Sequence, residues 1–344
     1  MKETIYLGTY TKGDSKGIYK ITLDTENKTL EDLTLVAEAG HPTYLTLSGD
    51  RSYLYGILRE DGGNGVGMFK TADEGTFERV ATATDDTASP CYVSYDAERS
   101  LVYAAHYGNG TLSVYSTSKD GSISLADRVQ HEGSGVHENQ DGPHAHFIDL
   151  TPDKKYAVAC DLGTDEVYTY SISDQGTLTE VGRYHTKPGT GPRHLVFSKD
   201  GTKAYVLGEL SSEVVVLNYD SSNGSFDHIQ TISSIPEDRE EFKWGAAIRM
   251  SNDGKFLYVS NRGHDSIAVF KVSPTDGTLE VVEYVSTEGK TPRDFDLDPT
   301  NQFVVVGHQD SDNLTLFERD SDSGKLTLLE KDVYAPEVVG VTFA

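Results

Sequence analysis

His144 and His146 stand one residue apart in the stretch QDGPHAHFIDL, residues 140–150. On an extended strand, side chains at i and i+2 share one face. Three kinds of chemistry are open to such a pair: a metal clamp, one proton-transfer histidine with a neighbour, or two ordinary polar side chains. A catalytic zinc site takes three protein ligands, and no third His, Cys or carboxylate follows at a diagnostic spacing. Other reactive side chains recur downstream, namely Arg193, Glu209, Arg262 and Arg293. Imidazole exchanges protons near neutral pH. A guanidinium beside a carboxylate holds it ionised. Arg also grips carboxylate or phosphate through two parallel hydrogen bonds. Brought together, these groups would do general acid–base chemistry on an anionic small molecule.

What could bring them together is a repeat. The stretches 191–220, 245–273 and 291–320 share one pattern: an alternating apolar run, a Ser/Asp/Pro/Gly turn, a Tyr- and Val-rich run, a polar turn and a third run. Earlier copies begin near His41, Ser89 and Gly142. A fourth run follows a tight turn in every copy. Six of those turns carry glycine (Gly75, Gly121, Gly176, Gly224, Gly277 and Gly324), and the remaining one carries Lys28. Such hairpins need positive φ, which glycine adopts without strain. The apolar period is two, so these are strands rather than helices.

Equivalent positions at the start of the first run are Thr43, Cys91, His146, Arg193, Ala246, Arg293 and Glu337, spaced 44 to 55 residues apart. The last copy is split: its first run, PEVVGVTFA, is C-terminal and its remaining runs are N-terminal. Seven four-stranded units of this length predict an all-β fold, a seven-bladed β-propeller whose last blade is closed by both chain ends, with residues 1–344 as one domain.

In a propeller, the first strand of each blade lies nearest the axis, and two repeat positions ring one mouth of the channel. The second ring reads Tyr10, Arg59, Tyr107, Asp161, Glu209, Arg262 and Gln309. Ionisable residues concentrate in blades 3 to 6. An asymmetric polar patch on a symmetric frame marks a binding site. The expected reacting groups are His146, Arg193, Glu209 and Arg262. His144, Asp161, Arg293, Gln309 and Glu337 are expected to contact substrate. Cys91 reads as a buried thiol. His194 should face away from Arg193 on a regular strand, and His264 and His308 read as rim groups. No nucleophile elbow or phosphate loop occurs, and the single Trp244 with no repeated Trp-Asp pairs argues against a WD40 scaffold.

Composition bounds the partners. The formal net charge is −25, which opposes nucleic-acid binding and anionic membranes. Arginines clustered in so acidic a chain therefore stand out. No apolar run approaches a membrane span, no signal-peptide pattern opens the chain, and two cysteines make no disulfide framework. The expectation is a cytoplasmic protein that needs no metal or cofactor. The sequence assigns no oligomeric state.

The stretches 189–217 and 253–272, with YLGTYT and GPHAHFIDLTPD, resemble the propeller-type 6-phosphogluconolactonase family, which is similar in turn to fungal carboxymuconate-cyclising enzymes. The resemblance covers essentially the whole chain. It implies a metal-independent enzyme opening a sugar lactone. In the cyclising relatives a His, an Arg, a Glu and a second Arg form the site, and by motif these fall on His146, Arg193, Glu209 and Arg262. One departure is that relatives often open the blade-5 inner strand with an acidic residue, where WGAAIRM has Ala246 and Ala247. The resemblance implies hydrolysis of 6-phosphogluconolactone. A cycloisomerase or lactonase on another carboxylated lactone, and a non-catalytic binding propeller, are the alternatives.

Overall fold

The computed structural model describes residues 1–239 and 244–344. Their strands form seven four-stranded antiparallel sheets. Blade 1 comprises Leu45–Leu47, Tyr53–Glu60, Gly63–Thr71 and Phe77–Asp85; blade 2 comprises Tyr92–Asp96, Leu101–His106, Thr111–Thr117 and Ile123–Gln130. Blade 3 is built from Ala145–Leu150, Tyr156–Asp161, Glu166–Ile172 and Leu178–His185, and blade 4 from Pro192–Phe197, Lys203–Gly208, Glu213–Asp220 and Ser225–Ser233. Blade 5 holds Trp244–Met250, Phe256–Arg262, Ser266–Val272 and Leu279–Ser286, and blade 6 holds Pro292–Leu297, Phe303–His308, Asn313–Arg319 and Leu326–Tyr334. Blade 7 is the split one: Val338–Phe343 pairs with Lys2–Thr9, followed by Gly17–Asp24 and Thr29–Glu38. The expected closure is therefore present, and it removes the two long free edges an open array would expose.

The apolar core is a ring of clusters, each lying between neighbouring blades. Tyr92, Phe147 and Leu195 join blades 2, 3 and 4 in one cluster. Leu207 and Leu257 join blades 4 and 5, and Phe256 and Phe295 join blades 5 and 6. Leu7 and Val305 tie blade 7 to blade 6. A single sheet cannot bury both faces, so every blade depends on its neighbours.

The local turn signals hold. All six hairpin glycines have positive φ, and Lys28 adopts the same region with φ of 56°. Some hairpins also dock on the adjacent blade: the Tyr205 hydroxyl donates to the Gly277 carbonyl at 3.0 Å, and Tyr258 donates to Gly324 at 2.9 Å.

Candidate active site

Bulges in the inner strands aim the first ring. In blade 3, Ala145 pairs with Asp161 and Phe147 with Cys160, which leaves His146 as an extra residue. Arg193 is the extra residue in blade 4, between Pro192 and His194, and Arg293 in blade 6, between Pro292 and Asp294. A bulge interrupts pairing and re-aims a side chain. All three side chains line one cavity of about 600 Å³. Glu209 and Arg262 reach it from just beyond, or at the end of, the second strands of blades 4 and 5.

The centre of the cavity is a carboxylate held by two guanidinium groups. Arg193 Nε donates to Glu209 Oε2 at 2.7 Å, and Arg262 Nη2 lies 3.0 Å from the same oxygen. Arg193 also donates to the Ala246 carbonyl. Arg193 is 2% exposed and Glu209 8%, so the pairing works in a poorly solvated medium. Burial pushes the Glu209 carboxyl up, but Arg262 and Arg193 outweigh it and hold it down at about 2. Burial lowers the Arg193 guanidinium to about 10, which still leaves it charged at neutral pH.

His146 lines the same cavity at 4% exposure. Burial, reinforced by Arg193, holds its pKa well below the usual imidazole value, so it is a neutral base at pH 7. Its Nδ1 has no hydrogen-bond partner among the described residues. Its ring meets Tyr107 and His194 edge-on, with centroids 5.9 and 5.2 Å away. Across the lining, among the described residues, four arginines (Arg59, Arg193, Arg262 and Arg293) face one glutamate. A buried neutral base, a fixed carboxylate and an excess of guanidinium groups can activate water and stabilise an oxyanion.

The family model for the lactonase seven-bladed β-propeller matches residues 4–343. The chain belongs to that family. This lactonase is 46% identical over 342 residues to the 6-phosphogluconolactonase of Bacillus subtilis, with 98% of this chain and 97% of the relative covered. A crystal structure from Lactobacillus plantarum matches with a TM-score of 0.96 and 47% identity, covering 100% of both chains. The periplasmic gluconolactonase of Pseudomonas aeruginosa matches with a TM-score of 0.94 and 31% identity, covering 100% of this chain and 99% of that one.

Several expected contacts of the lactonase fall elsewhere. Asp161 is not in the second ring. It pairs with Ala145, whereas Gly208 pairs with Pro192, so Leu162 is the residue equivalent to Glu209. The Asp161 carboxylate faces His131 Nδ1 at 2.6 Å and accepts the backbone N–H groups of His144, Gly163 and Thr164. It is a fully buried framework group. Glu337 is also out of register. The blade-7 bulge falls at Val339, which lines the cavity, while the Glu337 carboxylate accepts backbone N–H groups of Lys12, Gly13 and Ser15.

His144 and His146 do not converge. The His144 ring stacks on Tyr107 at 4.5 Å, and its nitrogens meet the Tyr107 carbonyl and Asp141. It buttresses a cavity wall rather than lining it. Gln309 accepts from Arg293 Nη1 at 2.9 Å and so positions that guanidinium. His194 does not face away from the cavity: next to the bulge it lines the wall beside Arg193, while packing against Tyr92, Phe147 and His146. His308 is fully buried inside blade 6 rather than on the rim, with Nδ1 on the Asn313 carbonyl. At the sequence departure, the Ala247 N–H donates to Ser260 Oγ and the Ala246 carbonyl takes Arg193.

Tyr10, His41, Arg59 and Tyr107 line the cavity without having been singled out as site residues. Three of them sit in the second ring, so the repeat alignment contained the signal. His41 precedes the first ring, with a left-handed φ of 49°. Among the described residues no helix is long and apolar enough to cross a membrane.

Proposed function

We propose that this lactonase hydrolyses 6-phosphogluconolactone to 6-phosphogluconate, a step of the pentose phosphate pathway, in the cytoplasm. The observation that carries the reading is neutral His146, its Nδ1 without a hydrogen bond among the described residues, in one arginine-rich cavity with the Arg193–Glu209–Arg262 cluster. The name of the Bacillus subtilis relative supports the substrate.

In this mechanism His146 takes a proton from water as the water oxygen attacks the lactone carbonyl. The carbonyl oxygen becomes an oxyanion, and the Arg193 and Arg262 guanidinium groups stabilise it. The C–O bond to the ring oxygen then breaks, and His146 returns its proton to that oxygen. Glu209, ionised at any working pH, fixes both guanidinium groups and stabilises the imidazolium while it exists. A carboxylate held at about 2 is too weak a base to deprotonate water itself.

The test follows freshly generated 6-phosphogluconolactone by coupled NADP reduction with 6-phosphogluconate dehydrogenase, in EDTA. Acceleration over spontaneous opening that is lost in His146→Ala and Arg193→Ala supports the reading. Wild type with no acceleration would overturn the substrate and leave a different carboxylated lactone.

A further inference from the structure

The arginines of the cavity fall into two groups by partner. Arg193 and Arg262 are committed to Glu209. Among the described residues Arg59 and Arg293 have no carboxylate partner. Among the arginine side chains described, all others except exposed Arg51 are ion-paired. In a chain with 55 acidic residues, two cavity-lining guanidinium groups without a carboxylate are an anomaly of composition. Arg59 has no side-chain hydrogen bond among the described residues, and Arg293 bonds only the neutral Gln309.

Both line the same cavity. Arg293 lies 5.6 Å from the centroid of the Tyr10 ring, and the Lys12 ammonium lies 4.3 Å from the same ring. His41 meets Tyr10 edge-on at 5.9 Å. Arg59 and Lys12 both lower the pKa of His41. Arg293 acts on Glu209, Arg193 and His146. Arg293 thus bridges the centre and a cationic wall formed by blades 7, 1 and 6.

We propose that Arg59 and Arg293, with Lys12 on the rim, form a phosphate subsite that holds the phosphomonoester end of the substrate away from the Glu209 centre. The inference rests on the substrate reading above and adds to it which guanidinium groups select phosphate. A phosphomonoester dianion supplies the missing counter-charge and accepts from both guanidinium groups. The charge of Arg193 and Arg262 is already shared with Glu209, and their remaining N–H groups serve the oxyanion. Because Arg59 is exposed, the subsite is screened by salt. It also strengthens as the phosphate loses its second proton, near pH 6.

The experiment compares kcat and KM for 6-phosphogluconolactone and glucono-1,5-lactone in wild type, Arg59→Gln, Arg59→Lys and Arg51→Gln. Losing one charge-assisted contact is expected to lower the phosphorylated-to-unphosphorylated kcat/KM ratio by about 10- to 100-fold in Arg59→Gln, carried by KM. Arg59→Lys should recover part of it, and Arg51→Gln, which removes the same charge elsewhere, should keep the wild-type ratio. An unchanged ratio in Arg59→Gln, or an equal fall in Arg51→Gln, would overturn the subsite. If wild type accelerates neither lactone, the substrate reading fails by itself, and calorimetry with 6-phosphogluconate and gluconate decides the subsite. A preference for the phosphorylated acid that disappears in Arg59→Gln upholds it, and no preference refutes it.

Discussion

At the residue scale, Glu209 is where charge and burial are balanced. Its carboxyl falls from an ordinary 4.5 to about 2 because two guanidinium groups outweigh desolvation. A lowered carboxyl pKa contributes stability above pH 4.5, and that contribution is lost as pH falls towards 2. Glu209→Gln leaves buried Arg193 and half-buried Arg262 without that counter-charge, a loss of about 3 kcal/mol at pH 7. Denaturant melts at pH 7 and pH 3 should show the gap between wild type and Glu209→Gln narrowing at the lower pH. His146 has a lowered pKa too, and here the consequence is kinetic. Its pKa lies well below 6.5, so kcat at saturating substrate falls only as pH drops through that depressed value. His146→Gln is expected to lower kcat by about 10²- to 10⁴-fold and to abolish this acid limb in a pH–rate profile.

At the element scale, the hairpins are local and the bulges are not. A Cβ on Gly324 would meet Phe256 Cδ1 at 2.3 Å, and the backbone there has φ of 74°. Gly324→Ala should therefore lower stability by about 1–3 kcal/mol in urea unfolding. Tyr205→Phe removes the hydroxyl that docks on Gly277 and should cost about 1 kcal/mol. The seven turns were readable because each needs only its own residues to be small or left-handed. The bulges at His146, Arg193, Arg293 and Val339 were not, because a bulge is defined by how many residues lie opposite on the partner strand. That is why Asp161 was misplaced by one residue and Glu337 by two. It is also why His194 shares the cavity with Arg193 instead of facing away.

At the scale of the whole molecule, stability depends on closure. Val338 and Val341 are almost fully buried against blades 6 and 7. Deleting residues 338–344 would uncover them and the Lys2–Thr9 edge, a loss on the order of 5 kcal/mol, comparable with the whole stability of a typical fold. We expect the truncated chain to lose its cooperative melt and to aggregate on size-exclusion chromatography, while the full chain melts as one unit, as a single domain would.

The sequence by itself determined the number of blades, the turn positions, the split blade and the candidates His146, Arg193, Glu209 and Arg262. All of these rest on strand period and turn chemistry, which are properties of neighbouring residues, and on a motif resemblance. Tertiary structure decided which candidates meet. It bound Arg193 and Arg262 to Glu209, withdrew Asp161 and Glu337 into the framework, and left Arg59 and Arg293 without a counter-charge among the described residues. Those outcomes depend on strand register and on charges from blades far apart in the chain, which no local pattern encodes.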